Sequence, residues 1–314
     1  MAVTGAAGFL GSHLCEALLA EGCRVVGIDG FLGITPRELA EENLAVAAAN
    51  PHFTLVETDL RCRPARDAFA GVSTVFHLAG RPGVRETGTA AFVETNVGAT
   101  ERVLAAAVDA GVRRVVFASS SSVYGLTTRW PSREDDVVAP ASVYARTKVL
   151  AERRCLRSPI PAVILRYFTV YGPRQRSDMA FARFVAAALG GPAAPLYDGV
   201  EHAARDFTYV ADAIDGTLRA WRSGRAGAVY NLAGGASISL QAARAHLERL
   251  AGRSVPCVPR PSSVPEPIRT RADLTRSRRE LGYAPRTHIA DGLREQLSAA
   301  RAHDERLHKR VYAA

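Results

Sequence analysis

Lysine is almost absent from this chain of 314 residues. Arginine supplies 38 of its 40 basic residues, and the two lysines are Lys148 and Lys309. The excess of arginine and alanine is typical of genes with GC-rich codons. A lysine that is kept in the interior of such a chain needs a chemical reason, so Lys148 is a candidate functional residue before any motif is considered.

The chain also lacks the features of membrane and metal-binding proteins. No run reaches the roughly 18 strongly apolar residues of a transmembrane helix, and no basic, apolar leader opens the sequence. The five cysteines are scattered without any Cys-x-x-Cys pair. We therefore expect a cytoplasmic protein with reduced thiols, no membrane association and no metal. Because the first predicted strand starts at the second residue, we also expect the natural chain to begin several residues earlier.

The net charge of +9 does not come from a basic cluster. Residues 1–165 contain 17 basic and 17 acidic groups, so the whole excess lies in residues 166–314, with 23 basic and 14 acidic groups. No stretch concentrates five basic residues, and no aromatic residues are interleaved with them, so a nucleic-acid partner is not expected. The balance instead favours an anionic small molecule bound by the second half.

Short β-branched runs alternate with helical patterns in the first half of the chain. The predicted strands are 2–4, 24–28, 53–57, 74–78, 115–119 and 162–167, and the predicted helices are 11–20, 36–49, 92–110 and 143–156. Such alternation predicts a parallel sheet covered by helices. In the less regular second half we expect helices at 180–189, 211–222, 240–251, 274–281 and 289–308, and a proline-rich surface loop at 255–267.

A glycine-rich turn joins the first strand to the first helix. Gly5, Gly8 and Gly11 follow the strand at 2–4, and Asp29 ends the next strand, 18 residues after Gly11. Small residues let backbone N–H groups approach a pyrophosphate at a helix N-terminus. A carboxylate at the position of Asp29 accepts both hydroxyls of an adenosine ribose and repels a 2′-phosphate, which predicts NAD rather than NADP.

Two further strand ends extend this predicted cofactor site. Asp59 and Leu60 follow the third strand, where the adenine ring would lie. Leu78 and Ala79 follow the fourth strand and provide small side chains along the path of the cofactor. His77, just before them, is predicted to be a packed histidine rather than an acid or base.

Tyr144 and Lys148 are four residues apart on a predicted helix and therefore share one face. An ammonium near a phenol favours the phenolate and lowers a pKa that starts at about 10. Such a tyrosine can take the proton of an alcohol while hydride leaves the same carbon. Ser119 and Ser120 end the fifth strand, where hydroxyls point into the crevice in which parallel sheets bind ligands.

These residues and their order resemble the extended short-chain dehydrogenase/reductases of the nucleotide-sugar epimerase and dehydratase family. The resemblance covers nearly the whole chain and rests on 4–11, Asp29, Asp59, 77–80, Asn96, 119–125, 144–148, 166–173, 205–209, 272–273 and 281–283. It implies an α/β fold, a doubly wound parallel (Rossmann) sheet with a smaller mixed α/β substrate domain. Residues 1–165 would bind NAD, with elements from about 206–235 returning to that domain, and residues 166–314 would mainly bind the nucleotide sugar.

The resemblance also implies roles for single residues. Tyr144 would be the acid and base, Lys148 would tune it and bind the nicotinamide ribose, and Ser120 would bond the 4-hydroxyl of the substrate. The implied NAD contacts are Gly5, Gly8, Phe9, Leu10, Gly11, Asp29, Asp59, Leu60, Leu78, Ala79, Asn96, Ser119, Tyr144, Lys148, Tyr167 and Val170. Family members pair two protomers through helices that match 92–110 and 143–156, so a homodimer is expected.

Members of this family oxidise C4 of a nucleotide-linked sugar with NAD, and the resulting ketone has several fates. Dehydratases and decarboxylases of the family carry a carboxylate just after the catalytic hydroxyl, where this chain has Ser121 and Ser122. The resemblance therefore favours 4-epimerisation, in which the ketone rotates and the hydride returns to its other face.

The segment 166–180 resembles that of UDP-glucuronate 4-epimerases, in which the hydroxyls matching Ser121, Ser122 and Thr169 hold the sugar carboxylate. Arg176 and Arg205 match residues that bind the diphosphate of the substrate. The full set of implied substrate contacts is Gly83, Val84, Arg85, Ser120, Ser121, Ser122, Thr169, Arg176, Met179, Arg205 and Asp273.

One stretch departs from the family. Its members have an Arg and a Gly-Asp pair shortly before Ala272-Asp273, where this chain has Val264-Pro265-Glu266-Pro267. Arg260 or Arg271 would then take over that diphosphate contact. Four alternatives remain open at this point: 4-epimerisation of UDP-glucose or UDP-galactose, UDP-glucuronate decarboxylation, 4,6-dehydration, and NAD or nucleic-acid binding without catalysis.

Overall fold

The computed structural model describes residues 1–33, 35–62, 66–83, 88–199, 202–262 and 265–312. The strands are β1 Ala2–Thr4, β2 Val25–Asp29, β3 Phe53–Glu57, β4 Thr74–His77, β5 Arg114–Ser120, β6 Ala162–Tyr167, β7 Val170–Tyr171, β8 Ala194–Tyr197, β9 Ala204–Asp206, β10 Thr208–Tyr209, β11 Val229–Leu232, β12 Ser237–Ser239 and β13 Cys257–Arg260. The α-helices are α1 Phe9–Ala20, α2 Arg37–Ala48, α3 Thr89–Phe92, α4 Ala99–Asp109, α5 Val143–Arg157, α6 Ala180–Ala188, α7 Val210–Ser223, α8 Leu240–Ala251, α9 Thr275–Leu281 and α10 Ile289–Tyr312.

Seven parallel strands form the central sheet in the order β11-β6-β5-β4-β1-β2-β3. The chain lays down β1, β2 and β3 in one direction and then β4, β5 and β6 in the other. The strand order therefore reverses between β1 and β4, and ligands of such sheets bind beyond the carboxyl ends of the strands at that point. This order confirms the predicted doubly wound parallel sheet.

Helices cover both faces of this sheet, as its sequence pattern requires. Along β5, Val116 and Ala118 pack into one core with side chains of α1, α2 and α7, whereas Val115 and Phe117 pack into a second core with α4 and α5. A strand that is buried on both faces is apolar at successive positions rather than at alternate ones. The buried runs of β4, β5 and β6 have this character.

A second region follows β6 and is built from pairs of short strands. β7 pairs with β10, β9 with β12, and β8 with β13, and helices α6, α8 and α10 enclose a separate core in which the rings of Phe181 and Phe207 are 4.4 Å apart. The same half of the chain returns β11 to the central sheet beside β6. The division into cofactor and substrate domains stays a prediction. Within the described ranges, no helix has the length and apolarity needed to cross a bilayer.

Two predicted elements differ from the structure. The proline-rich loop at 255–267 contains β13, which pairs in parallel with β8 and matches Pro259 to Leu196. Proline lacks an N–H and is tolerated there because this pair of strands has open edges. The predicted helix 92–110 instead begins at Thr89 and passes through a π-helical stretch, Val93–Gly98, before α4.

Candidate active site

The glycine-rich turn lies at the reversal of strand order, between β1 and α1. Gly5 has a φ of +71°, and a Cβ on it would lie 2.9 Å from the backbone of Ala79. A Cβ on Gly11 would collide with the carbonyl oxygen of Gly5. Gly8 precedes α1, which begins at Phe9. The turn leaves a side-chain-free surface at a helix N-terminus, which fits the pyrophosphate of a dinucleotide.

Asp29 ends β2 beside this turn and is held by the backbone. Its Oδ2 accepts the N–H of Ala7 at 2.9 Å, and its Oδ1 accepts the N–H of Phe31 at 2.9 Å. Burial raises the pKa of the Asp29 carboxyl, and the backbone N–H donors oppose that rise. The carboxylate is thereby oriented at the strand end where sequence reasoning predicted a ribose acceptor.

The other predicted cofactor contacts fall into two groups. Phe9, Leu60 and Val170 are buried in the two cores that flank the sheet, whereas Leu10 and Leu78 are half-buried at their edges. Three of these apolar side chains therefore belong to the packed cores of the sheet, and two lie at the edges of those cores.

Asp59 differs from these apolar residues because it is partly exposed and forms a two-point pair with Arg61, with a shortest distance of 2.8 Å. This pair lowers the pKa of the Asp59 carboxyl.

His77 is a packed histidine, as predicted. Its Nδ1 is 2.7 Å from the Thr4 hydroxyl and its Nε2 is 2.9 Å from the Thr100 hydroxyl, and the whole side chain is buried. Burial and the charge of Lys148 lower its pKa to about 3, so the imidazole is neutral over the physiological range.

Tyr144 and Lys148 lie on the face of α5 that packs against the end of β5. Ser142 caps the helix, since its hydroxyl accepts the N–H of Ala145 at 3.1 Å. The ammonium of Lys148 donates to the carbonyl of Ala118 at 2.7 Å and lies 4.9 Å from the ring centre of Phe117. Burial lowers the pKa of Lys148 to about 8.

The predicted lowering of the Tyr144 pKa is wrong. Burial raises the pKa of the Tyr144 phenol, while a hydrogen bond with Ser120 and the positive charge of Arg176 act in the opposite direction. The Lys148 ammonium is 6.0 Å from the ring centre of Tyr144 and is engaged by a backbone carbonyl. Ser120 and Arg176 are therefore the groups that stabilise the phenolate form of Tyr144.

Four consecutive serines, Ser119 to Ser122, span the end of β5 and the residues after it, and three of them differ in their contacts. Ser119 is buried and donates to Glu152 at 2.5 Å, so its hydroxyl does not face the crevice. Ser120 bonds Tyr144 and also accepts the N–H of Ser122 at 3.2 Å. The Ser122 hydroxyl oxygen is buried and has no hydrogen-bond partner in the part of the chain that the structure describes. A buried hydroxyl of this kind is usually satisfied by a ligand or an ordered water.

Asn96 is buried and bonds protein groups with both atoms of its amide, and its contact with the cofactor stays a prediction. It lies in the π-helical stretch, where an extra residue per turn often marks a functional site. Its Oδ1 accepts the N–H of Arg81 at 2.6 Å, and its Nδ2 donates to the carbonyl of Arg81 at 3.0 Å and to Thr147 at 2.9 Å. Asn96 therefore joins the segment after β4 to helix α5 beside Lys148.

Three further predicted residues are engaged within the protein. The Tyr167 hydroxyl bonds Thr217 at 2.7 Å in the core. Asp273 accepts the N–H of Thr275 at 2.8 Å and pairs with Arg133 at 3.2 Å. Thr169 is half-buried, and its carbonyl accepts the N–H of Thr208 at 3.0 Å.

Both arginines predicted to bind a diphosphate are paired with carboxylates. Arg176 binds Asp178 at two points, 2.9 and 3.1 Å, just before Met179 and the start of α6. Arg205 binds Glu266 at 3.0 Å and the carbonyl of Pro267 at 2.7 Å. The stretch that departs from the family therefore supplies the partner of Arg205.

Sequence reasoning missed an open pocket on one face of the β8–β13 pair, beside α6. Its volume is about 490 Å³, and it is lined by Arg183, Ala193, Pro195, Tyr197, Val258, Arg260 and Pro261. Arg260 and Arg271 were the two residues predicted to replace the missing diphosphate contact. Arg260 lines this pocket, and Arg271 is not among its lining residues. Its lining could not be predicted, because the prolines in and around β13 indicate a loop. Three predicted substrate contacts lie after β4. Gly83 has a φ of +137°, and Val84 and Arg85 lie outside the described residues.

Comparison with known proteins agrees with this geometry. The NAD dependent epimerase/dehydratase family matches residues 1–233. The chain belongs to this family. A Bacillus subtilis relative, an uncharacterized UDP-glucose epimerase, is 37% identical over 94% of this chain and 96% of its own length. A Streptomyces griseus dTDP-glucose 4,6-dehydratase is 33% identical over 93% of this chain and 90% of its own length.

A solved structure of the family extends the comparison. The Bacillus cereus UDP-glucuronic acid 4-epimerase, in complex with UDP-glucuronic acid and NAD, has a TM-score of 0.90 and 36% identity, covering 96% of this chain and 98% of that one. The family binds NAD, which confirms the predicted cofactor. The chain is therefore an NAD-dependent nucleotide-sugar epimerase/dehydratase.

The hold of Asn96 on residue 81 can be tested by hydrogen exchange. In an Asn96→Ala variant we expect the Arg81 amide to exchange at least tenfold faster, because the variant loses the acceptor of that N–H, a bond worth about 1–3 kcal/mol when buried. Thr147→Val is the matched control, since it removes only the third bond of Asn96. Equal protection of Arg81 in both variants would contradict this role.

Proposed function

We propose that this enzyme is a UDP-glucuronate 4-epimerase that forms UDP-galacturonate through a transient 4-keto sugar. The observation that carries the proposal is the set of hydroxyls at the end of β5. Ser121 and Ser122 occupy the positions at which dehydratases and decarboxylases of the family carry a carboxylate, and the Ser122 oxygen is buried without a partner among the described residues. Hydroxyls can hold a substrate carboxylate through charge-assisted hydrogen bonds.

Tyr144 is the proposed acid and base. It takes the proton of the 4-hydroxyl as C4 is oxidised and returns a proton when C4 is reduced, and Ser120, which bonds its phenol, orients the same hydroxyl. Arg176 supplies a positive charge that favours the phenolate, and the ammonium of Lys148, 6.0 Å from the Tyr144 ring centre, would bind the nicotinamide ribose and add to that charge. NAD, when bound, accepts the C4 hydride and gives it back to the opposite face. The glycine-rich turn and Asp29 would hold its pyrophosphate and adenosine ribose.

The proposed nucleotide end of the site is the pocket on one face of the β8–β13 pair. Arg176 precedes α6, and Arg183 on that helix lines the pocket, so one short segment connects the surroundings of Tyr144 to it. Arg176 and Arg205 would bind the diphosphate between the two ends. A volume of about 490 Å³ falls in the usual range of ligand pockets, about 300–1,000 Å³.

The proposed carboxylate clamp consists of Ser121, Ser122 and Thr169. The oxidised intermediate is a β-keto acid, which loses CO₂ fastest when the bond to the carboxylate aligns with the carbonyl π system. Charge-assisted hydrogen bonds from three hydroxyls would keep that bond out of alignment. The same groups would therefore bind the uronate and suppress its decarboxylation.

A second candidate is 4-epimerisation of UDP-glucose and UDP-galactose, favoured by the name of the Bacillus subtilis relative. It needs the same Tyr144, Lys148 and Ser120 chemistry and differs only in what contacts C5 of the sugar. Substrate identity decides between the two.

The first prediction concerns the substrate. Incubated with UDP-glucuronate, the purified protein should form UDP-galacturonate, followed by NMR of the anomeric protons. Tyr144→Phe should lower the rate about 10²–10⁴-fold, because it removes the acid and base and keeps the ring. UDP-glucose, UDP-galactose and dTDP-glucose serve as parallel substrates. Faster turnover of a neutral hexose, or a 4-keto-6-deoxy product, would reject the proposal.

The second prediction concerns the clamp. Thr169→Ala or Ser121→Ala should release UDP-pentose from UDP-glucuronate, because fewer bonds restrain the carboxylate in the ketone. Thr169→Ser, which keeps the hydroxyl, is the matched control and should release little. Intact epimerisation without any pentose in both alanine variants would show that these hydroxyls do not control decarboxylation.

We further propose a homodimer formed through α4 and α5. Their surface and the π-helical stretch before α4 expose four apolar side chains to 40–43%: Val93, Val108, Leu150 and Leu156. Sedimentation should give twice the chain mass of 33.6 kDa, and Leu150→Glu should shift the protein toward the monomer by placing a charge in an apolar contact. A monomer at all concentrations would refute this pairing.

A further inference from the structure

Three residues on successive turns of helix α5 each bond one of three consecutive residues at the end of β5. Tyr144 bonds Ser120, Lys148 donates to the carbonyl of Ala118 at 2.7 Å, and Glu152 accepts the hydroxyl of Ser119 at 2.5 Å. Side chains four residues apart share one face of a helix. The proposed reaction uses the first two turns, and Glu152 on the third turn has no role in it.

Glu152 is half of a buried ion pair. Its carboxylate accepts Nε and Nη2 of Arg166 on β6 at 3.0 and 2.9 Å, and both side chains are 6% exposed. Arg166 extends away from α5, since its Nη1 donates to the Tyr124 hydroxyl at 3.2 Å and to the carbonyl of Glu134 at 3.1 Å. Desolvating two charges is expensive, so a buried pair of this kind adds little to stability on balance. Its position beside the site then calls for another explanation.

The charges around Lys148 identify that explanation. The titratable groups that face it are His77 from β4, and Tyr144, Glu152 and Cys155 from α5 itself. Burial raises the pKa of the Cys155 thiol to about 12 and also raises that of the Tyr144 phenol, so neither is the anion beside Lys148 before ligands bind. His77 is neutral. Glu152, whose counter-ion is Arg166, is therefore the one anion among these groups that can favour the charged form of Lys148.

We propose that Glu152 is a positioning residue for this reaction, which fixes the strand end carrying Ser120 and supplies the negative charge that keeps Lys148 an ammonium. The inference rests on the proposed role of Lys148. Burial holds the pKa of Lys148 near 8, close to working pH, so a modest change in its surroundings alters how much of it is charged. Arg166 orients Glu152 and offsets part of the cost of burying it.

The scarcity of lysine makes the charge of Lys148 directly observable. In protein labelled with ¹³C at lysine Cε, only Lys148 and Lys309 give signals, and Lys309→Arg assigns them. In Glu152→Gln, which keeps the size of the side chain, the Lys148 pKa should fall by about one unit because the neighbouring anion is gone. Glu152→Asp, which keeps the charge, should restore most of it. This titration needs no substrate, so it is independent of which sugar the enzyme uses.

Kinetics provide the second readout. The alkaline limb of the kcat profile should move about one pH unit lower in Glu152→Gln, with a loss of roughly tenfold above pH 8 and less than about threefold at pH 6.5. The KM of the nucleotide sugar should stay within about twofold, because Glu152 touches no substrate. Glu280→Gln is the matched control, since Glu280 forms a two-point pair with Arg225 at 2.9 Å away from the site, and its profile should not move.

An unchanged Lys148 pKa in Glu152→Gln would overturn the proposal, as would residual turnover whose kcat falls by the same factor at every pH. If Glu152→Gln does not fold, Glu152→Gln combined with Arg166→Met removes both charges of the buried pair. Because the Arg166 cation is removed as well, the Lys148 pKa should then fall by less than in Glu152→Gln, and no fall at all would contradict the charge role. Loss of all turnover with a shifted Lys148 pKa would instead support the inference and point to a fault in the proposed reaction.

Discussion

Buried hydrogen bonds between α5 and the last residues of β5 hold the chemically important groups of this enzyme in register. The phenol of Tyr144, the ammonium of Lys148 and the carboxylate of Glu152 each meet a different residue of one strand end. That strand is fixed in turn by β4 and β6 on either side and by a helical layer on each face. Small shifts of α5 would therefore change all three contacts together, which explains why so much buried polar bonding is concentrated there.

The parallel sheet could be predicted because each sequence signal for it lies within a short stretch of the chain. Short apolar strands, a glycine turn before a helix and an acid at the next strand end are written within a few residues of one another. The π-helical stretch at 93–98 could not be predicted, since its sequence pattern continues that of the helix around it. Strand β13 was hidden by Pro256 and Pro259, residues that usually mark a loop but that an open strand edge tolerates.

The site was predictable in its members but less so in their partners. Tyr144, Lys148 and Ser120 do meet as their spacing and strand position indicated. Ser119 and Tyr167, by contrast, bond Glu152 and Thr217, which lie 33 and 50 residues away in the chain. No periodicity connects such pairs, so sequence reasoning could not predict these partners within the protein. The lowered phenol pKa failed for a related reason, because burial depends on the whole fold.

The pairing of Arg176 with Asp178 and of Arg205 with Glu266 has a consequence for recognition. Neither guanidinium is a bare positive charge awaiting a phosphate, so arrival of an anionic ligand at either one is an exchange of anions. An exchange gains little from net attraction, and the entering group must win on shape: the tetrahedral, many-oxygen outline of a phosphate against the flat fork of a carboxylate. The excess of arginine in this half of the chain would then matter less for how strongly it attracts anions than for which anions it accepts.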